Sequence, residues 1–345
     1  PNTWAFLRDA MITPTGFREY DARWKYPDDI NLPGITALGM GLGTQMHENG
    51  IEPVIAVGND YRDYSLTIKN ALMLGLMQAG IHVRDIGPAL SPMAYFSQFH
   101  LDAPAVAMVT ASHNPNGWTG VKMGFERPLT HGPDEMGRLR DIVLGGETVA
   151  RDGGKYEFVE GVKEAYLDDL CGDFKMKRKL RVVCATGNGT ASAFAPEVLA
   201  RIDGEVIPSH NGLDYTFPHN NPNPEAMEML HDMSASVRES AADLALDEFT
   251  LFGRAGRVLE PVTVILADID SGHPVVIQTH LVLARFVFFQ DDVGRDVGHI
   301  SFHERRAGLG IEHVQLIADG LDQLNRVSRL FRDLRQPILG QIGEV

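Results

Sequence analysis

The sequence predicts an α/β protein with two successive domains, each a mixed or parallel sheet covered by helices on both faces, followed by an unassigned C-terminal segment. Three observations support this. Short β-branched runs alternate with helix-length amphipathic stretches from Pro53 onward, a glycine-rich connection at Gly145–Gly154 divides that alternation into two series, and the composition changes near residue 247.

In the first series, Pro53–Val57 reads as a buried strand ending at Gly58. Asp63 or Ser65 is placed to cap a helix carrying Ile68, Ala71, Leu72, Gly75, Leu76 and Ala79 at helical spacing, with Gly80 as its stop. A strand at His82–Ile86, a helix at Ser91–His100, a strand at Ala105–Val109 and a helix at Pro133–Val143 follow. Phe158–Leu170 reads as a linking helix. The second series runs through strand Leu180–Ala185, turn Gly187–Gly189, helix Phe194–Ile202, strand Glu205–Pro208, helix Glu225–Val237 and strand Asp243–Leu246. The expected boundaries are therefore 11–145, 155–246 and 247–345. Every Met, Tyr, Trp, Cys and Lys lies at or before Met233, so the last segment has a different character and points to a fused or broken-frame end. It still offers strand-like runs at Val262–Ala267 and Val275–Phe289 and a long amphipathic helix from Ile311 to Leu334.

The net charge of -15 argues against non-specific nucleic-acid binding, which needs basic surface to displace counterions. An anionic small molecule is not excluded, provided that arginines and lysines gather locally. No stretch approaches the ~20 apolar residues of a membrane span, the first ten residues lack a signal-peptide layout, and Cys171 and Cys184 have no metal-like spacing. A cytoplasmic protein with reduced thiols is expected.

Ser112 stands just past the carboxyl end of a strand, where open α/β sheets bind ligands. Pro115 stiffens the loop, Asn114 and the backbone amides can hold phosphoryl oxygens, and Lys122 can return a positive charge to the same crevice. Spacing alone fits a capping serine in a surface turn equally well. A hydrolase nucleophile elbow is excluded, because neither flanking glycine is present. Arg18, Arg23 and Arg62 are placed near strand ends and suit bidentate grip on phosphate, with a solvated surface charge as the alternative for each.

Taken together, these segments resemble the α-D-phosphohexomutase family. The resemblance rests on Thr110-Ala111-Ser112-His113-Asn114-Pro115 with Gly120-Val121-Lys122, on Phe17 to Arg23, and on Gly58 to Arg62. Further on it rests on Gly187-Asn188-Gly189, on Asp214 with Phe217-Pro218-His219, Pro222, Pro224 and Glu225, and on Ala242-Asp243-Leu244. It implies a mutase interconverting hexose 1-phosphate and 6-phosphate, of mannose or glucose, through a phosphoserine and a bisphosphate intermediate. Ser112 is then the phosphoryl carrier, and Arg23 and Lys122 offset its charge. Thr110, His113, Asn114 and Arg62 bind phosphate or support the loop, and Mg²⁺ sits on the Ser112 phosphoryl oxygen. The family's three metal-binding aspartates, aligned from Ala242, fall on Phe249, Leu251 and Gly253, which offer no side-chain oxygen. The resemblance therefore implies a mutase whose turnover is impaired or truncated, or a non-catalytic sugar-phosphate-binding remnant. Asp270-Ser271-Gly272-His273 only partly echoes the family's sugar-selecting motif, and the pair His299 and His303 lacks the partner a metal helix would need.

Overall fold

The computed structural model describes residues 9–125, 127, 130–172, 174, 178–219, 221–223, 226–247, 261–267 and 274–280. Strand β1 (Ala22–Lys25) is followed by helix α1 (Leu32–Glu48), which opens with Asn31 accepting from the Gly34 amide at 2.9 Å and with proline in its first turn. Then come β2 (Val54–Asn59), α2 (Ser65–Gln78), β3 (His82–Pro88), α3 (Ser91–His100), β4 (Ala105–Val109), β5 (Trp118–Gly124), α4 (Pro133–Gly145) and β6 (Lys155–Phe158). The six strands form one sheet in the order β1-β5-β4-β2-β3-β6, with β5 antiparallel to both neighbours and the other pairings parallel.

The apolar alternation along the strands serves two faces. Ile55, Val57, Ala105, Ala107 and Val109 pack with α1, α2 and α4 on one side, while Ala56, Val106 and Met108 pack with α3 on the other. Helices α1 and α2 cross backbone to backbone. A Cβ on Gly39 would lie 2.2 Å from the Leu72 carbonyl oxygen, and one on Gly75 would lie 2.0 Å from that of Thr36. Only glycine permits that approach.

Helix α5 (Val162–Cys171) leads to the second sheet, built from β7 (Arg181–Ala185), α6 (Ala195–Arg201), β8 (Glu205–Ser209), α7 (Met227–Ser240), β9 (Leu244–Asp247), β10 (Pro261–Ala267) and β11 (Pro274–His280). Its order is β11-β10-β9-β7-β8, parallel from β9 to β8 and antiparallel beyond β9. Val183, Ala185 and Ala245 face α7, whereas Val182, Cys184 and Leu244 face α6. Phe194 and Val198 join the α3–α5 cluster and so tie the two sheets together through apolar contact.

Several expectations need correction. Neither Asp63 nor Ser65 caps α2: Tyr64 precedes the helix without a side-chain cap, and the Ser65 hydroxyl donates to Asp60 instead. The linking helix begins at Val162, because Lys155–Phe158 pairs in parallel with β3 as an edge strand. The C-terminal segment contributes β10 and β11 to the second sheet, although its composition sets it apart. The expected long helix at Ile311–Leu334, the Phe249–Gly253 stretch, Asp270–His273 and the pair His299 and His303 lie outside the described residues.

Candidate active site

In both sheets the chain reverses its direction of winding at one place. It passes from β2 to β3 on one side and then returns to β4 on the other; likewise β7 leads to β8 and the chain returns to β9. Crevices form at such switch points, outside the carboxyl ends of the strands. Here one cleft collects both. Asp60, Tyr61 and Arg62 after β2, Ala89 to Pro92 after β3, and Thr110 and Ser112 after β4 line one side. Thr186, Asn188 and Gly189 after β7, with Tyr215, Phe217 and Pro222, line the other.

The serine loop is held atom by atom. Thr110 makes the last ladder bond of β4, its amide donating to the Gly120 carbonyl at 3.0 Å, and its hydroxyl oxygen then accepts the Ser112 amide at 2.9 Å. Ser112 adopts φ = +54°, a left-handed conformation that costs a non-glycine residue roughly 1–2 kcal/mol. The Asn114 amide and side chain both donate to the Ala111 carbonyl, at 3.1 and 2.9 Å, closing the turn that imposes this conformation. The Ser112 hydroxyl lies 3.3 Å from His113 Nδ1.

Beneath the loop is a buried ion pair between Asp60 and Arg62, 2% and 6% exposed. Arg62 Nη2 donates to the carbonyls of Ser112 at 3.0 Å and Asn114 at 2.7 Å. Asp60 accepts from Arg62 Nη1, the Ser65 hydroxyl, the Arg62 amide at 3.2 Å and the Ala111 amide at 3.3 Å. Residues just after β2 thus fix the loop after β4, and Arg62, marked in the sequence as a phosphate grip, has Nη1 committed to Asp60 and Nη2 to the loop carbonyls. Tyr64 adds a further tie, donating to the Trp118 carbonyl at 2.8 Å and accepting from the Gly117 amide at 3.1 Å, while burial, the largest influence on it, keeps the phenol protonated.

Arg23 on β1 is buried, donating to the Ala22 carbonyl at 2.8 Å and pairing with Asp21 at 3.0 Å. It stands opposite Gly120 in register. A Cβ on Gly120 would meet Arg23 Nη1 at 2.5 Å and the Ala22 carbonyl oxygen at 1.9 Å, so glycine is required for the arginine to cross β5. Lys122 stands opposite Met108, two residues along β5 from Gly120 and therefore on the same side of the sheet. Val121 and Met123 turn to the opposite face, into the core, whereas Met108 lines the cleft. The cleft walls include Arg62, Thr110 and Ser112, but not Arg23, Lys122, His113 or Asn114. Sequence reasoning missed Asp60, Asn188 and Phe217 as individual contributors, although each lies in a segment that carried the family resemblance.

A left-handed serine at a switch point, over a buried arginine clamp, stands where open α/β sheets place their ligands. Comparison with known proteins makes that placement specific. The phosphoglucomutase/phosphomannomutase α/β/α domain I pattern matches residues 14–149, and the domain II pattern matches residues 157–248. A phosphomannomutase/phosphoglucomutase of Pseudomonas putida is 31% identical over 242 residues, covering 70% of this chain and 51% of the relative. A phosphomannomutase of Escherichia coli is 31% identical over 263 residues, covering 71% and 57%. The fold matches that of a phosphoglucomutase/phosphomannomutase family protein from Burkholderia thailandensis with a TM-score of 0.67 at 24% identity, over 74% of this chain and 55% of that one. The chain belongs to the α-D-phosphohexomutase family. It spans about half the length of the curated relatives that it matches. Among the described residues no helix is long and apolar enough to cross a membrane.

Proposed function

We propose that residues 11–145 and 155–246 form the phosphoserine-bearing and second domains of a phosphohexomutase acting on a hexose phosphate, and that Ser112 is the phosphoryl carrier. The observation that carries this reading is the left-handed Ser112, whose strain is held by Thr110, Asn114 and the Asp60–Arg62 pair at the carboxyl end of β4. When phosphorylated Ser112 gives its group to a sugar hydroxyl, the bond from phosphorus to Ser112 Oγ breaks and one to the sugar oxygen forms. The hydroxyl proton passes to Oγ, and the reverse transfer from the other end of the bisphosphate restores the phosphoserine. Positioning and charge neutralisation supply nearly all of the catalysis in such transfers. Arg23 and Lys122, on the cleft side of β5, serve the second task, and His113 steadies Oγ through its ring nitrogen.

The Mg²⁺ that the family implies does not fit the residues aligned with the family's ligand loop, which lie outside the described residues. Strand β9 ends at Asp247, paired with Ala185, and the aligned ligand positions beyond it are Phe249, Leu251 and Gly253. Phe and Leu carry no side-chain oxygen for a hard cation that favours carboxylate and water ligands. That substitution favours a second reading for the chain, sugar-phosphate binding without efficient turnover. The primary reading is tested by incubation with glucose 1,6-bisphosphate followed by intact-mass and peptide analysis. Phosphate on Ser112 is expected; phosphate only elsewhere, with Ser112 bare, overturns it. Calorimetric binding of glucose 1-phosphate together with a silent coupled mutase assay selects the second reading, and rapid Mg²⁺-dependent conversion rejects it.

A further inference from the structure

We propose that residues Asp214 to His219 and Asn221 to Asn223 act as a strap from the second sheet that positions the serine loop, with Asn221 and Phe217 as positioning residues. The role of this strap in chemistry rests on the reading of Ser112 as the phosphoryl carrier. Three successive carbonyls of the serine loop are held by side chains. Arg62, from the first sheet, takes those of Ser112 and Asn114, and Asn221 of the strap donates to the one between them, that of His113, at 2.6 Å. A return bond runs from Asn116 Nδ2 to the Tyr215 carbonyl at 2.6 Å. The Phe217 ring lies over the Arg62 guanidinium, 5.6 Å from its central carbon to the ring centre, so the strap also covers the cation that grips the loop.

Local hydrogen bonds close the first part of the strap. Asp214 Oδ1 accepts the Thr216 amide at 3.0 Å and the Thr216 hydroxyl at 2.7 Å, a local turn that explains an aspartate at this position. The Phe217 amide returns to the Asp214 carbonyl at 3.0 Å, and Phe217 is held at φ = +51°. The Asp214 amide donates to the Asn188 carbonyl at 3.1 Å, anchoring the strap to the turn after β7. Direct contacts thus run from the turn after β7 through Asn188 to Asp214 at one end of the strap, and from Asn221 to His113 at the other. The central peptide of the serine loop is set by the second sheet, and losing Asn221 frees it to relax away from the positive φ at Ser112.

The test uses the full chain and two variants, Asn221→Ala and the isosteric Asn221→Asp, which keeps the shape but removes the donor. Amide hydrogen exchange is followed at Ser112, Asn114 and Gly117, with Val57 and Ala107 as reporters on β2 and β4. Both variants are expected to exchange about tenfold faster at the three loop amides, the scale of one lost hydrogen bond, with the strand reporters unchanged. Phosphoryl uptake at Ser112 from glucose 1,6-bisphosphate is expected to slow in both. Unchanged loop exchange, or an equal rise in loop and strands, overturns the strap. A wild-type chain that never takes phosphate on Ser112 defeats the carrier reading alone, since faster loop exchange in the variants still establishes the strap.

Discussion

Replacing Asp60 by asparagine is expected to destabilise the first sheet by about 3 kcal/mol, and the figure follows from a count of donors. Each carboxylate oxygen receives two: Oδ1 takes the Ser65 hydroxyl and the Arg62 amide, while Oδ2 takes Arg62 Nη1 and the Ala111 amide. Asparagine has one carbonyl oxygen. Its best orientation keeps that oxygen toward Arg62 Nη1 and Ala111 and turns its amide toward Ser65, whose hydroxyl can reverse and accept. The Arg62 amide is then left facing a donor, and an unmet buried polar group costs about 1–3 kcal/mol. The Arg62 guanidinium, only 6% exposed, also loses its counter-charge. Breaking a buried pair by removing one charge costs about 3–5 kcal/mol, and retention of one acceptor brings the sum to the lower end. Thermal unfolding followed by circular dichroism should show a midpoint lower by roughly 6–12 °C. A loss below about 1 kcal/mol would mean that Arg62 is satisfied without Asp60, and the clamp would then not be what holds the serine loop.

Ser112→Gly is expected to raise stability by about 0.5–1 kcal/mol, because relief of the left-handed strain at φ = +54° exceeds the entropy glycine adds to the unfolded chain, while phosphoryl uptake at this position disappears; a lower melting temperature would show that the loop carries no strain there. His131, edge-on to Phe125 and 3.0 Å from Gln45 Oε1, has its imidazole pulled down to about 4, mainly by burial, with Glu135 pushing weakly the other way. Its folded value lies below the unfolded value of about 6.5, so its contribution is complete above that pH and is lost as pH falls toward 4, by about 3 kcal/mol. Urea midpoints measured from pH 7 to 4 should flatten in His131→Gln, and an equally steep fall in that variant would place the acid sensitivity elsewhere.

Where one element does one job, its sequence shows the job. Strand β4 and helix α3 match their expected bounds because Ala105–Val109 is buried on both faces and Ser91–His100 is bounded by proline and an aromatic run. Helix α1 went unread because Gly34, Gly39, Gly41 and Gly43 lower its propensity and blur its apolar stripe, although at Gly39 the reason is tertiary, the approach of α2. Strand β6 has four exposed residues and only one pairing edge, so no pattern of burial marks it. At the site, Thr110, Ser112 and Asn114 act on backbone within two or three residues, and the motif therefore declares itself. Asp60 acts across 51 positions on the Ala111 amide, and Asn221 across 108 on the His113 carbonyl. Nothing local distinguishes either from an ordinary polar loop residue.

That difference bears on two requirements of the phosphoryl transfer proposed for Ser112. Holding the serine is distributed: the loop after β2 supplies the Asp60–Arg62 pair, the end of β4 the turn, and the second sheet Asn221, and none of these contacts involves the residues after β9. Offsetting the charge of a phosphate is concentrated, in the family, on carboxylates that hold a cation just after that strand. In this chain the corresponding residues are Phe249, Leu251 and Gly253. Arg23 and Lys122 remain as positive charges on the cleft side of β5, and Arg23 is already paired with Asp21. A phosphoryl exchange between Ser112 and a bisphosphate is the same step that each turnover repeats, so both depend on positioning and on charge neutralisation. Loss of charge neutralisation worth several kcal/mol slows each transfer about a thousandfold or more, and a turnover needs two such transfers in succession. On the proposed reading of Ser112 as phosphoryl carrier, slow phosphoryl uptake there together with negligible steady-state conversion is the expected outcome; peptide analysis and a coupled assay check it, and rapid Mg²⁺-dependent conversion refutes it.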